Sequence, residues 1–119
     1  MIHDDEQLAY LLTFMLEREG FAVEHARDGQ QAGDRIDHAP PPAAVLTDLM
    51  LAYKTGYELI AQMRLKRDWD ATPIIVLTAK SDERDILRAF DLGVDDYVIK
   101  PFHPAELIAR LRHHLKKKP

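Results

Sequence analysis

Residues 73–77 read Pro-Ile-Ile-Val-Leu, a β-branched apolar run with no polar residue to turn toward water. Such a strand is stable only when both faces are covered, as inside a parallel sheet flanked by helices. The rest of the chain supplies those helices. In residues 6–19, Leu8, Leu11, Leu12 and Met15 recur at helical spacing, which predicts an amphipathic helix stopped by Gly20. Residues 21–26 alternate like a half-buried strand. Residues 28–37 read as a short helix capped by Asp28, and Pro40-Pro41-Pro42 is a stiff break. Residues 43–47 form an apolar strand ending at Asp48. A helix over 56–67 buries Leu59, Ile60 and Met63. Ser81 or Asp82 caps a helix over 82–92 that Gly93 ends. Residues 96–99 are the last strand. Pro104 opens a closing helix to about residue 116, with Leu107, Ile108, Leu111 and Leu115 as its buried stripe. Strands alternating with helices define an α/β fold with a doubly wound parallel sheet.

The pattern begins one strand late. Only Met1, Ile2 and His3 precede the first helix, whereas a central strand needs ~5 residues. Either the first strand is truncated to a stub, or part of it lies ahead of Met1. The 119 residues suit a single domain, with no room for a separate effector.

Composition removes several function classes. Without cysteine there is no disulfide, thiolate metal site or cysteine nucleophile. A net charge of -4, from 16 basic and 20 acidic residues, argues against nucleic-acid binding by this domain itself. The exception is the basic end, Arg110, Arg112 and Lys116 to Lys118, which reads as a solvated helix end. Residues 116–119 would then begin an exit linker. No apolar run approaches the ~18 residues of a membrane span, and the acidic opening is not a secretory signal. The expectation is a cytoplasmic protein without a membrane partner.

In parallel α/β sheets the working crevice lies beyond the carboxyl ends of the strands. This chain places Asp4 and Asp5, Asp48, Thr78 and Lys100 there, each group after a different strand. Oxygen ligands without thiolates suit a hard divalent cation, Mg²⁺ first and Mn²⁺ second. Such a cation would screen an Asp48 carboxylate attacking phosphorus, while Lys100 and Thr78 bind phosphoryl oxygens. Each piece also has an ordinary reading: Asp5 as a helix cap, Thr78 as a turn residue, Lys100 as a surface lysine. The only histidine at a strand end is His3, so a histidine-ligated zinc centre has little support. No glycine-rich loop leads into Lys-Ser/Thr, so nucleotide binding by that route is unsupported too.

At these residues the chain resembles the receiver domain of bacterial two-component response regulators. The motifs are Asp4-Asp5-Glu6, Asp48 with Gly56 eight residues on, Thr78-Ala79, and the run from Gly93 to Phe102 with its Lys100-Pro101-Phe102 ending. The resemblance spans residues 1–119 apart from the short first strand. It implies a flavodoxin-like five-stranded sheet ordered 2-1-3-4-5. It implies that Asp48 accepts a phosphoryl group from a sensor histidine kinase. Asp5, Asp48 and the Met50 carbonyl would be metal ligands, with Asp4 acting through water. Thr78 and Tyr97 would be the switch pair, Lys100 would bind phosphate, and the Lys100–Pro101 bond would be cis. Self-phosphorylation and autodephosphorylation on Asp48 would be the only catalysis, without turnover. Lys80, two after Thr78, either shields the acyl phosphate or is simply solvated. The chain departs from the family after Asp48, where Leu51-Ala52 and Thr55-Gly56 replace the usual Met-Pro and Asp-Gly; Thr55 can still cap the next helix.

The closing stretch is similar to receivers attached to a winged-helix DNA-binding domain. That implies a phosphorylation-dependent homodimer, with an apolar patch from Leu87, Phe90 and Ile108. Charged pairs would come from Asp95, Asp96, Glu106, Arg110 and Arg112. DNA would be touched only by an output domain beyond these residues. Two alternatives stand beside this reading. One is a stand-alone receiver or interaction domain without DNA-binding output. The other is a small Mg²⁺-dependent phosphatase or phosphotransferase, which lacks an obvious general acid because Met50 stands two residues after Asp48.

Overall fold

The computed structural model describes residues 1–116. Helix α1, Glu6–Arg18, starts at Asp5, whose Oδ1 accepts the N–H groups of Gln7 and Leu8, both at 3.1 Å. Helix α2, Gly29–His38, is capped by Asp28 through the Gln31 N–H at 2.9 Å. Strand β1 is Val45–Thr47. Helix α3, Gly56–Arg64, opens with a reciprocal capping box between Thr55 and Glu58. A single 3₁₀ turn, Arg67–Trp69, leads to strand β2, Ile74–Thr78. Helix α4, Glu83–Leu92, is capped by Asp82 and closed by Gly93 in the left-handed conformation, φ 106°. Strand β3, Asp96–Ile99, and helix α5, Pro104–Lys116, are the last elements of the described residues. The proposed linker beyond Lys116 lies outside the described residues.

The three strands pair in parallel in the order β1-β2-β3. Side chains of β2 alternate between two cores. Ile74 and Val76 join Ile36 of α2, Leu59, Ile60 and Met63 of α3, and Ala89 of α4. Ile75 and Leu77 join Leu12 and Leu16 of α1 with Leu107 and Leu111 of α5. Helices therefore cover both faces, and all five β2 residues are buried.

The five-strand expectation is met only in part. Ile2 makes single parallel bridges to Ala26 on one side and Thr47 on the other. Its N–H donates to the Leu46 carbonyl at 2.7 Å, and its carbonyl accepts the Asp48 N–H at 3.0 Å. The segment 21–26, expected as a strand, is extended only to a bridge at Ala26. Its backbone bonds to Met1 and His3 involve Glu24 and Ala26: the Met1 ammonium donates to the Glu24 carbonyl, the Ala26 N–H to the Met1 carbonyl, and the His3 N–H to the Ala26 carbonyl. Beside this stub is a cavity of about 600 Å³, lined largely by apolar residues including Val23, Ala32, Ile36, Ala44, Leu46 and Met63. Among the described residues, no helix is long and apolar enough to cross a membrane.

Candidate functional site

Asp48 follows β1 and is 8% exposed. Its two oxygens have different surroundings. Oδ1 accepts the Leu49 N–H at 2.6 Å and the Met50 N–H at 3.3 Å. Oδ2 accepts from the Lys100 ammonium at 3.0 Å. Burial alone would raise this carboxyl, but the Lys100 ammonium, the Thr78 hydroxyl and the Met50 N–H outweigh it and hold the group below the usual aspartate value. Asp48 is therefore an ionised carboxylate near neutral pH, aimed at an ammonium from the far end of the chain.

Local structure explains this aim. β1 ends at Thr47, and Asp48 follows it at the carboxyl edge, its N–H donating to the Ile2 carbonyl at 3.0 Å. Gly56, at the start of α3, sits directly against the Asp48 carbonyl and the Leu49 Cα, where a Cβ would have no room. That close approach seats the loop after Asp48 on the first turn of α3. Lys100 follows β3, with its N–H on the Thr78 carbonyl at 2.8 Å, and the Lys100–Pro101 bond is cis as expected.

Thr78, at the end of β2, is buried, and its Oγ1 accepts the Lys80 N–H at 3.4 Å. The Tyr97 hydroxyl donates to the Lys80 carbonyl at 2.8 Å. Both expected switch residues thus engage the main chain of Lys80. Burial, then the charges of Asp85 and Asp48, push the Tyr97 phenol up to about 12, so it stays a donor. The Lys80 ammonium lies 3.7 Å from Asp85, whose Oδ1 accepts the Tyr57 hydroxyl at 2.7 Å.

Asp4 and Asp5 are exposed at the same edge. Asp5 uses Oδ1 as the cap of α1, the ordinary reading given above. The described residues contain no cluster of three metal-ligating side chains. The expected ligand set needs only two carboxylates and a main-chain carbonyl, and its all-oxygen chemistry fits a hard cation.

The expected dimer residues are dispersed in role. Leu87 and Phe90 on α4 are exposed, 55% and 43%, whereas Ile108 packs partly against the α1–α5 core. The charges are paired within the chain. Asp95 accepts from Arg64 at 3.0 Å and from the Ile74 N–H at 2.8 Å. Asp96 binds Arg110 and His114, Glu106 binds Arg110, and Arg112 binds Glu19.

One group beside Asp48 escaped the sequence reading. His3 is fully buried, with Nδ1 3.8 Å from Asp48 Oδ2. Burial first, then the Lys100 charge, lower its pKa to about 4, so the contact is not an ion pair at neutral pH. Its signal was visible as a histidine at a strand end, but the strand alone could not say that the ring points at Asp48.

Fold and site together define a parallel α/β domain carrying a buried carboxylate–ammonium pair at the carboxyl edge of its sheet. The chain belongs to the response regulator receiver domain family, whose model matches residues 1–112. It is similar to a putative response regulator from Chloroflexus aurantiacus J-10-fl, at 32% identity and TM-score 0.89, covering 98% of this chain and 94% of that one. It is also similar to the signal receiver domain of a signal transduction histidine kinase from Syntrophus aciditrophicus, at 30% identity and TM-score 0.87, covering 97% and 86%. A third likeness is to a response regulator protein from Burkholderia pseudomallei with a phosphorylated aspartic acid, calcium ion and citrate, at 30% identity and TM-score 0.81, covering 98% and 66%. The protein is a two-component signal-transduction domain, of a family that receives a phosphoryl group on aspartate from a histidine kinase. These relatives include a kinase-attached receiver and draw no link to the winged-helix subgroup.

Proposed function

We propose that Asp48 is the phosphoacceptor of this receiver and that the domain acts as a phosphorylation-controlled signalling module, whatever output it serves. The observation that carries this is the Lys100–Asp48 contact at 3.0 Å, which joins residues 52 positions apart at the sheet edge. In phosphoryl transfer the Asp48 oxygen forms a bond to phosphorus as the donor's bond breaks. Lys100 then meets charge on the phosphoryl oxygens, and Thr78 offers a hydroxyl. Asp5, Asp48 and the Met50 carbonyl, with Asp4 nearby, would hold Mg²⁺ or Mn²⁺. The cation would supply charge neutralisation between carboxylates and phosphate. The Burkholderia relative, with its phosphorylated aspartic acid and calcium ion, supports the same chemistry. Thr78 and Tyr97 would pass the change to α4 through their shared contact with Lys80.

Incubation with Mg²⁺ and a small acyl phosphate should add about 80 Da to the protein. The gain should vanish in Asp48→Asn; retention of it there, or no gain in the wild type, overturns the assignment. A second reading, a homodimer through the α4 face, is favoured by the exposed Leu87 and Phe90. It predicts a shift to dimer in sizing chromatography after phosphorylation, reduced in Phe90→Asp. A DNA-binding output domain is not needed for either reading.

A further inference from the structure

We propose that Tyr53 is a specificity-determining residue whose ring stacks on the imidazole of a phosphohistidine donor as the phosphoryl group passes to Asp48. This rests on Asp48 being the phosphoacceptor. Tyr53 stands in an uncommon conformation. Its φ is 71°, and the Lys54 N–H donates to the Ala52 carbonyl across it at 2.9 Å. A bond closed around one residue of positive φ is a γ-turn of the rare, strained kind. No contact within the chain offsets that strain. Tyr53 is 79% exposed, and its side chain makes no hydrogen bond, ion pair or ring contact among the described residues. Glycine or asparagine would hold the same turn with less strain. Backbone strain beneath an exposed aromatic ring points to a contact outside the chain.

The neighbours of Tyr53 are fixed. The Ala52 carbonyl also accepts the Gly29 N–H at 3.0 Å. A Cβ on Gly29 would strike the Lys54 backbone, so the turn sits hard against the start of α2. The Lys54 ammonium donates to the Gln62 side chain at 3.2 Å. Residues 52 and 54 are therefore held while the ring between them stays in solvent, which lowers the ordering cost of a contact. The loop also keeps Tyr53 near the reacting carboxylate. It leaves the sheet at Asp48 and returns at Gly56, which abuts the Asp48 carbonyl. Tyr53 is three residues from Gly56, so their Cα atoms are at most ~11 Å apart. Met50, 59% exposed, is the other large apolar side chain that this loop leaves in water.

A donor in line with Asp48 must approach over this edge. With phosphohistidine, the Asp48 oxygen bonds to phosphorus as the phosphorus–nitrogen bond breaks. The electron pair of that bond stays on the imidazole, which leaves neutral when its other nitrogen carries a proton. The donor ring remains planar throughout, so a phenol face can stack on it before and during transfer. A donor without a ring offers Tyr53 nothing to stack on. Tyr53 thereby favours imidazole donors over others with the same bond to phosphorus.

The test compares two small donors with that bond, N-phosphoimidazole and phosphoramidate, each with Mg²⁺, and follows loading by mass. The quantity read is the ratio of the two loading rates, which cancels any general loss of loading. It should fall about fivefold in Tyr53→Asn, the size of one lost aromatic pair. It should stay near the wild-type ratio in Tyr53→Phe. Asparagine suits the turn, so Tyr53→Asn should fold at least as well as the wild type. In Asp48→Asn, which has no carboxylate to react, N-phosphoimidazole should shift the Tyr53 ring protons upfield and phosphoramidate should not. An unchanged ratio in Tyr53→Asn, the result expected if the ring serves another surface, overturns the role of Tyr53 and leaves the Asp48 assignment standing. So does an equal fall in Tyr53→Phe, or a ring whose protons do not shift. No loading of the wild type by either donor overturns the Asp48 assignment and this inference with it.

Discussion

Asp48 and His3 are neighbours with opposite needs. The carboxylate is kept charged by Lys100, Thr78 and the Met50 N–H, while burial keeps the imidazole neutral, its pKa lowered to about 4. The two shifts act on stability in the same direction. Unfolded His3 binds a proton below about 6.5, but folded His3 resists until about 4. The unfolded state therefore holds more protons in that window, and stability falls as pH drops from 6.5 to 4. Asp48, with a lowered value, contributes stability above the ordinary aspartate range that is lost as pH falls through its folded value. We expect His3 to account for roughly 2–3 kcal/mol of acid destabilisation. Melting curves between pH 7 and 4 should be flatter in His3→Leu than in the wild type; parallel curves would rule this out. The motif residues were legible in the chain because each stands at a strand end. The pairing of one particular oxygen with Lys100 was not, since it depends on the turn after β1.

At the scale of elements, the loop between β1 and α3 is the place where backbone demands are strictest. Gly56 abuts the Asp48 carbonyl. Gly56→Ala should cost about 2–3 kcal/mol by forcing apart two backbones that touch, and it should slow phosphorylation because it moves Asp48. Unchanged melting and loading would show that the loop yields freely. In the same loop Tyr53 adopts φ 71° and is 79% exposed. A bulky residue in that conformation is strained, and asparagine tolerates it better. Tyr53→Asn should raise stability by about 1 kcal/mol, read as a rise of several degrees in Tm. Helix signals were the most readable part of the chain. Asp5, Asp28, Thr55 and Asp82 all cap where their types and positions suggest. Helix α3 ends at Arg64 rather than 67 because the chain turns into the 3₁₀ segment.

For the whole molecule, the sheet position between residues 22–26 and β1 is held by few backbone bonds. Met1 to His3 hold two neighbours together by single bridges, and the adjoining cavity measures about 600 Å³. Four or five apolar residues placed ahead of Ile2 would extend the pairing between residues 22–24 and 44–46 and fill that space. At roughly 25 cal/mol per Å² of apolar surface removed from water, even partial filling contributes several kcal/mol before ordering costs. The extended protein should melt several degrees higher. Equal melting temperatures would mean that the stub already suffices.

Periodicity and end signals in the chain alone determined the helix–strand alternation and the parallel class, because those depend on local spacing and on whether a run can face water. They also placed acids, a hydroxyl and a lysine at successive strand ends. Tertiary structure decided what local spacing cannot carry. It enclosed Asp96 between Arg110 and His114, and left segment 21–26 with a single bridge, at Ala26. It also put a buried imidazole 3.8 Å from the Asp48 carboxylate. Each of these depends on which distant residue arrives in the same few ångströms, and that is set by how the helices pack on the sheet.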